Sequence, residues 1–209
     1  MATISIITPW LNCPELVRTY ERSVNTAEVI VIDNGSDLDA AAKIKAMTTR
    51  QRGIYIRNEA NAKYAAANNQ GLAVATGDII IFMNNDIEAP PGWLHQVKRD
   101  VKDGALYGPS LLTRMVAGQP MPYLEGYCIA ATRDTWNALG GWDETYQGMY
   151  WEDNDLCWRA MGAGFKLVET KWPVWHYGNY TSGKTPGAYD SSVTNQATFE
   201  KRVHDAVNV

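Results

Sequence analysis

The first half of the chain alternates short apolar runs with longer stretches of helical composition. We predict strands at 4–7, 29–32, 53–56 and 79–83, with helices between them at 14–24, 37–47 and 63–75. Strands separated by helices of about 10–15 residues form βαβ units, whose parallel sheet is covered on both faces. The pattern therefore predicts an α/β fold with a central, mostly parallel sheet flanked by helices.

The second half of the chain is less regular. We predict helices at 93–102, 152–161 and 192–203, and short strands at 105–107, 127–130 and 165–168. The segment 178–189 is rich in Gly, Ser, Thr and Tyr, a composition typical of a mobile surface loop. No repeat or low-complexity linker interrupts the layout, so a single domain over 1–209 is expected.

Composition excludes several classes of protein. The 209 residues are enough for one domain with a substantial core, and 45% hydrophobic with 20% charged residues is typical of a soluble globular protein. A net charge of -4 offers no electrostatic footprint for nucleic acid. No apolar run approaches the roughly 20 residues of a membrane span, and the N-terminus lacks the basic region of a secretory signal. Three cysteines cannot all pair, which favours a reducing, cytoplasmic location.

An acidic side chain directly follows the second predicted strand. Asp33 ends the run Val-Ile-Val-Ile and is followed by Asn34, Gly35 and Ser36. A carboxylate at the tip of an early strand of an α/β sheet can hydrogen-bond the ribose or base of a nucleotide. The alternative is that Asp33 forms a turn or caps the next helix. Neither a G-x-G-x-x-G motif nor a P-loop is present, which excludes those two phosphate-binding motifs.

Three polar residues, Asn84, Asn85 and Asp86, follow the apolar run at 79–83. In an extended segment the side chains at positions i and i+2 point the same way, so Asn84 and Asp86 share a face. Oxygen ligands in this arrangement suit a hard divalent cation, such as Mg²⁺ or Mn²⁺, that also holds phosphate. Asp86 would be the direct ligand. The alternative is an ordinary turn, which Asn and Asp favour.

Two further candidates lie in the second half. Glu152, Asp153 and Asp155 lie in the first turn of a predicted helix, where acidic side chains interact favourably with the helix dipole. Three carboxylates within four residues exceed what a cap needs, and one of them could serve as a general base. His176 follows an apolar run; a single His is usually structural, but imidazole is also acceptable to Mn²⁺ beside a carboxylate.

Taken in order, these motifs resemble glycosyltransferase family 2, whose members have the GT-A fold. The matching stretches are Ile4–Thr8, Val31–Ser36, Asn61–Gly71, Ile79–Asp86, Pro91–Leu94, Gly140–Asp143, Trp151–Arg159 and His176. They cover residues 3–177, and the short chain is similar to compact single-domain members from bacteria and large algal viruses. The resemblance implies a nucleotide-binding half at about 1–88, an acceptor and catalytic half at about 89–177, and a loop with a C-terminal helix at 178–209. We also predict that the segment at 178–189 closes over bound donor.

The resemblance also implies a reaction. It is a metal-dependent, inverting transfer of a hexose from a nucleotide diphosphate sugar, with UDP expected, to a hydroxyl of a glycan acceptor. Asp153 would be the base with Glu152 beside it, and Asp86 and His176 would bind Mn²⁺ or Mg²⁺. The implied donor-binding residues are Thr8, Pro9, Asp33, Asn61, Lys63, Asn84, Asn85 and Asp86. The implied acceptor and sugar residues are Trp151, Trp142, Glu125 and Gly126.

Two departures from the family pattern keep an alternative open. The usual Asn-x-Gly is Asn61-Ala62-Lys63 here, and the D-x-D motif begins with Asn84. Loss of these residues would suit a catalytically inactive module that binds a sugar or nucleotide on the same fold. A nucleotidyltransferase is a weaker alternative, because that chemistry prefers a basic, Gly-rich loop after the first strand and residues 8–12 do not form one.

Overall fold

The computed structural model describes residues 2–178, 180, 182–184 and 189–207. Its strands are β1 (Ile4–Trp10), β2 (Glu28–Asp33), β3 (Ile54–Arg57), β4 (Ile79–Met83), β5 (Ile87–Glu88), β6 (Ala105–Gly108), β7 (Leu111–Val116), β8 (Gln119–Leu124), β9 (Cys128–Thr132), β10 (Lys166–Glu169) and β11 (Trp175–His176). Its α-helices are α1 (Val17–Ser23), α2 (Leu38–Arg50), α3 (Tyr64–Val74), α4 (Trp93–Asp100), α5 (Arg133–Leu139), α6 (Glu152–Gly162) and α7 (Ser192–Val207).

The central sheet has the strand order β10-β6-β9-β4-β1-β2-β3 within the described residues. Its pairs are parallel except those of β9, which runs antiparallel to both β4 and β6. The predicted mostly parallel sheet is therefore confirmed. Because β9 is reversed, its first residue, Cys128, pairs with Met83 at the end of β4. The chain entering β9 thus lies at the same edge as the chain leaving β4.

Apolar residues on both faces of β1 and β4 make this sheet the centre of two cores. Ile6 and Ile81 pack in the cluster on one face, and Ile7 and Phe82 pack in the cluster on the other. Burial of each such side chain is worth about 1.5–3 kcal/mol. Helix α3 lies close against β1, since a Cβ at Gly71 would come within 2.3 Å of Ile7 Cγ2. The helices thus cover both faces, as the pattern predicted.

A third, smaller cluster lies apart from these two. It joins the hairpin β7–β8, the loop before α6 and helix α7, and its buried members are Val116, Met121, Tyr146, Trp151, Phe199 and Val203. Residues 117 and 118 form the hairpin turn with φ of 48° and 78°, which fits the left-handed turns that match strand twist. Sequence patterns missed this hairpin because Pro120 and Pro122 interrupt β8, and prolines are tolerated only at a sheet edge.

Most other predicted elements are confirmed, with shifted ends. The predicted helix at 14–24 is a 3₁₀ turn, Pro14–Leu16, followed by α1. Helix α5 was missed; it is short and depends on caps, with Thr132 Oγ1 accepting from Thr135 N at 3.3 Å and Gly140 ending it at φ 70°. Much of the loop predicted at 178–189 lies outside the described residues. None of the helices in the described chain has the length and apolar character needed to traverse a bilayer.

Candidate active site

The carboxyl ends of β1 and β4, the start of β9 and the start of α6 meet around a cleft of about 320 Å³. Ligands of open α/β sheets bind at this edge. The cleft gathers most of the residues singled out in the sequence: Pro9, Asn61, Lys63, Asn84, Asn85, Asp86, Glu125, Gly126, Trp151, Glu152, Asp153 and His176. Residues far apart in the chain are therefore neighbours here, as parallel strand ends predict.

Asp86 and His176 face each other across a two-stranded sheet. Strands β5 and β11 pair antiparallel, with His176 opposite Ile87, and this sets Asp86 Oδ1 3.2 Å from His176 Nε2. Both atoms are buried and neither has a hydrogen-bond partner among the described residues. The ring of Tyr127 stacks on the imidazole, with centroids 4.3 Å apart, and so fixes its plane.

This pair fits a divalent cation. Two neighbouring ligands of an octahedral ion with bonds of about 2.1 Å lie roughly 3 Å apart, close to the spacing of the Asp86 and His176 atoms. In the described part of the chain no third His, Cys, Asp or Glu joins them. The protein thus offers two ligands, and the remaining positions would be filled by a ligand or by water.

Glu152 and Asp153 form a half-buried acid pair at the start of α6. Burial raises the pKa of Glu152, and the neighbouring Asp153 charge raises it further. Burial raises the pKa of Asp153 as well, but backbone N–H groups of Gly126 at 3.1 Å and Asn154 at 2.9 Å donate to its carboxylate. Hydrogen bonds of this kind favour the charged form. Asp153 therefore holds the negative charge of the pair, whereas Glu152 Oε2 has no hydrogen-bond partner in the described structure.

The loop before the acid pair has an unusual backbone. Tyr150 and Trp151 have φ of 75° and 77°, a left-handed conformation that costs a non-glycine residue of order 1–3 kcal/mol. Buried Asn195 of α7 holds this loop, with Oδ1 accepting from Gln147 N at 3.1 Å and Nδ2 donating to Tyr150 O at 3.0 Å. Gly148 is packed so closely that an added Cβ would lie 2.0 Å from Ser191 Oγ. Contacts from a distant helix thus fix the approach to Asp153.

The opposite end of the cleft is organised by Asn34. Its Nδ2 donates to Asn61 Oδ1 at 2.8 Å, and its Oδ1 accepts from Ala62 N at 2.8 Å and from Asn58 Nδ2 at 3.0 Å. Asn61 Oδ1 also accepts from Lys63 N at 2.9 Å. Lys63 has a φ of 73°, so the backbone keeps a left-handed conformation that favours glycine at this position.

A family model described as glycosyl transferase family 2 matches residues 5–169 of the chain. The chain belongs to glycosyltransferase family 2. This glycosyltransferase is 25% identical over 192 residues to the pre-mycofactocin glycosyltransferase of Mycobacterium tuberculosis, across 78% of this chain and 40% of that protein. It spans less than half the length of the curated relatives that it matches.

Solved structures show the same fold. The mannosyltransferase PcManGT from Pyrobaculum calidifontis, in complex with GDP-Man and Mn²⁺, matches with a TM-score of 0.64 and 19% identity over 81% of this chain and 55% of that one. GalNAc-T7 with UDP, GalNAc and Mn²⁺ matches with a TM-score of 0.69 and 14% identity over 84% of this chain and 44% of that one. The glycosyltransferase therefore has the predicted GT-A fold.

Three predicted site residues of the glycosyltransferase do not line the cleft. Thr8 is fully buried and hydrogen-bonded to Tyr20 at 2.7 Å. Trp142 is buried against Phe82, with ring centroids 5.5 Å apart. Asp33 is also buried, and its role at the donor, like those of Thr8 and Trp142, stays a prediction.

The Asp33 carboxylate is already well supplied with donors. It accepts hydrogen bonds from Tyr55 Oη, from Ser36 N at 2.8 Å and from Arg57 at 2.5 Å. Burial alone would raise the pKa of Asp33, but the hydrogen bonds from Tyr55, Ser36 and Arg57 outweigh it and lower that pKa. These contacts tie the end of β2 to β3.

The cleft of the glycosyltransferase also contains residues that sequence reasoning missed. The clearest are Tyr64, Arg114, Tyr123 and Tyr127. Tyr64 Oη donates to Gly126 O at 2.7 Å, and Tyr127 stacks on the predicted metal ligand His176. Tyr127 could have been found from its place directly after Glu125 and Gly126, whereas Arg114 lies in the hairpin that no pattern revealed.

Proposed function

We propose that the enzyme is a metal-dependent, inverting glycosyltransferase that moves a hexose from a UDP-linked donor to a hydroxyl of a glycan acceptor. The observation that carries the proposal is the pair of buried, facing atoms Asp86 Oδ1 and His176 Nε2, 3.2 Å apart, in the cleft that also holds Asp153. The Mn²⁺ bound by two structural neighbours, with GDP-Man in one and UDP in the other, supports it.

The donor end would bind the nucleotide diphosphate. Asp86 and His176 would hold Mn²⁺ or Mg²⁺, a Lewis acid that offsets negative charge growing on the leaving diphosphate. Lys63, Asn84 and Asn85 line the same end and would contact phosphate or ribose oxygens. We assign this end to the half of the chain at about 1–88, with His176 as the ligand contributed from the other half.

The acid pair would activate the acceptor. Asp153 holds the negative charge and would take the proton of the acceptor hydroxyl as its oxygen forms the new glycosidic bond. A positioned base typically contributes about 10²–10⁴-fold to the rate. Attack from the face opposite the leaving diphosphate inverts the anomeric centre. Trp151, Glu125 and Gly126 line the cleft around Asp153 and would hold the acceptor and the transferred sugar.

A thermal unfolding panel tests the metal pair directly. UDP with Mn²⁺ should raise the melting temperature of the wild type, since ligand at about 100 times its Kd stabilises by about 2.7 kcal/mol. Asp86→Asn and His176→Ala should lose the rise that depends on Mn²⁺, while the exposed control His95→Ala should keep it. Equal Mn²⁺-dependent rises in all four proteins would show that the ion binds elsewhere.

Donor hydrolysis separates transfer from mere binding. An active transferase with Mn²⁺ should release UDP slowly from its own donor without an acceptor, because water can replace the acceptor hydroxyl. A catalytically inactive module would show the higher melting temperature with UDP and Mn²⁺ but would release no UDP from any sugar nucleotide tested.

A further inference from the structure

The hairpin β7–β8 places a cation in the cleft beside the acid pair. The guanidinium carbon of Arg114 lies 4.4 Å from the centroid of the Trp151 ring and 5.1 Å from that of the Tyr123 ring. Its side chain donates to Asn154 Oδ1 at 3.2 Å and to Tyr123 Oη at 3.4 Å. Both partners are neutral, and across the described residues Arg114 forms no ion pair with a carboxylate.

Three other arginines of the enzyme are used differently. Arg57 pairs with Asp33 at 2.5 Å, and Arg159 pairs with the buried Asp155 at 2.7 Å. Arg202 bridges from α7 to Asp143 at 2.7 Å. Each of these cations has its countercharge within the protein and none of them lines the cleft, whereas Arg114 does line it. Its positive charge lies in the cleft near Asp153, where it works against burial by lowering the pKa of that carboxyl, and it faces the space in which the acceptor would bind.

The guanidinium of Arg114 is also held in a fixed orientation. It stacks on two cleft-lining rings, and the fully buried Asn154 anchors one of its edges. A guanidinium carries five N–H donors, so two hydrogen bonds leave others available. A planar, immobilised fork of donors matches the oxygen pair of a carboxylate or phosphate, and stacking lowers the entropy lost when such a ligand binds.

The surroundings of Arg114 bear on the ligand that it could bind. Trp151 and Tyr123 line the same cleft, but both side chains are more than nine-tenths buried and Arg114 covers a face of each ring. The carboxylates of Glu125 and Asp153 nearby would repel an anion. Among the described residues, Arg114 is the cation that lies at the acid-pair end and can offset this repulsion. The cleft-lining Lys63 lies at the other end, because it belongs to the loop that Asn34 holds at the donor end.

We propose that Arg114 binds an anionic substituent, a carboxylate or a phosphate, on the acceptor sugar. The acceptor of this transferase is thus an acidic glycan, with its anion paired to Arg114 and the reacting hydroxyl turned towards Asp153. This inference rests on the proposed function, because it assumes that the space beside the acid pair receives an acceptor. It adds to that function the chemical class of the acceptor, which the family does not specify.

Binding of three small probes tests the proposal without any transfer reaction. Methyl β-glucuronide carries a carboxylate, glucose 6-phosphate carries a phosphate, and methyl β-glucoside is neutral. NMR titration of the full chain, saturated with UDP and diamagnetic Mg²⁺, should show one of the two acidic probes binding about 10- to 100-fold more tightly than the glucoside, as expected for hydrogen bonds to a charged group. Which acidic probe binds more tightly distinguishes a uronic acid from a sugar phosphate.

Variants test whether the preference for the acidic probes comes from the Arg114 side chain. Arg114→Gln should bind all three probes like the glucoside, and Arg114→Lys should retain part of the preference because it keeps the charge without the planar fork. The control Arg99→Gln, an exposed arginine of α4, should behave as the wild type. Thermal unfolding of each variant, with and without UDP and Mn²⁺, shows that the fold and the donor end are intact.

Two results would overturn the proposal. Equal binding of the three probes by the wild type, including no detectable binding of any, would remove the anion site. An acidic preference that survives in Arg114→Gln would place the site elsewhere. In both cases the rise in melting temperature with UDP and Mn²⁺ reports separately on the proposed function, so failure of one does not imply failure of the other.

Discussion

The two ends of the cleft are held in place by different means. The donor end is built on strands β1, β2 and β4, whose side chains are buried on both faces of the large sheet. The acid-pair end is built on a loop with left-handed residues, supported by the small third cluster and by Asn195 of α7. A sheet edge is rigid because of its core, whereas a strained loop needs specific contacts from outside to stay in one conformation.

Removal of the base should affect only one end. We expect Asp153→Asn to lower the rate of transfer by about 10²–10⁴-fold, because the amide cannot accept the acceptor proton. The rise in melting temperature with UDP and Mn²⁺ should stay as in the wild type, since the donor end is unchanged. Asp134→Asn, an exposed residue of α5, is the matched control. A variant at position 153 that keeps most of its transfer rate would exclude this residue as the base.

Damage to the sheet core should affect the whole molecule. Phe82 lies in β4 against Trp136 and Trp142, with ring centroids 4.7 and 5.5 Å away. We expect Phe82→Ala to lower the free energy of unfolding by about 3–5 kcal/mol through lost burial and a cavity. Chemical denaturation measures this loss. The control Leu38→Ala changes a side chain that is 82% exposed and should cost under about 0.5 kcal/mol.

Loss of the hydrogen bonds from Asn195 of α7 to the loop before α6 should affect the acid-pair end alone. Asn195→Ala leaves backbone groups of Gln147 and Tyr150 without their partner, which costs about 1–3 kcal/mol. We expect kcat/KM for the acceptor to fall while the affinity for UDP with Mn²⁺ does not change. Gln196→Ala, an exposed neighbour on the same helix, should alter neither quantity. Parallel losses of donor and acceptor binding would contradict the separation of the two ends.

A further effect concerns pH. Burial and the Asp153 charge raise the pKa of Glu152 above its unfolded value, so the folded state loses stability as pH rises from the unfolded pKa to the raised one. Glu152→Gln cannot ionise and therefore does not lose this stability. The loss in the wild type is about 1.4 kcal/mol of unfolding free energy for each unit by which folding raises the pKa. The variant should therefore gain stability relative to the wild type between pH 5 and pH 8, as measured by chemical denaturation. For the exposed control Glu59→Gln, the difference in unfolding free energy from the wild type should not change with pH over the same range. A difference for Glu152→Gln that is equally independent of pH would show that the pKa of Glu152 is not raised.

The same contrast explains what the sequence could predict. Apolar runs bounded by polar residues predicted β1, β2 and β4, and the polar ends of those strands led to Asp86 and to the cleft. Local periodicity carries this information because each strand is buried through its own residues. The same signal led to Asp33, a buried carboxylate that accepts hydrogen bonds from Tyr55 and Arg57, and its role at the donor stays a prediction.

The acid-pair end was only partly predictable for a physical reason. Glu152 and Asp153 were visible as an excess of acid at a helix start, but nothing local showed that partial burial would raise the pKa of both. Asn195 supports Tyr150 from 45 positions away, and the left-handed φ of Tyr150 has no signature in residue type. Contacts of this range are set by tertiary packing, which a single sequence encodes without local periodicity.

The reversed direction of β9 has a consequence for how this fold diversifies. Because β6 ends and β9 begins at the same edge, the connection at 109–127 leaves and rejoins the sheet there, and it contributes Arg114, Tyr123, Glu125, Gly126 and Tyr127 to the cleft. Doubling the length of such a connection costs only about 0.6 kcal/mol in loop entropy. Insertions and substitutions between these two strands can therefore reshape this side of the cleft at little cost to the stability of the sheet.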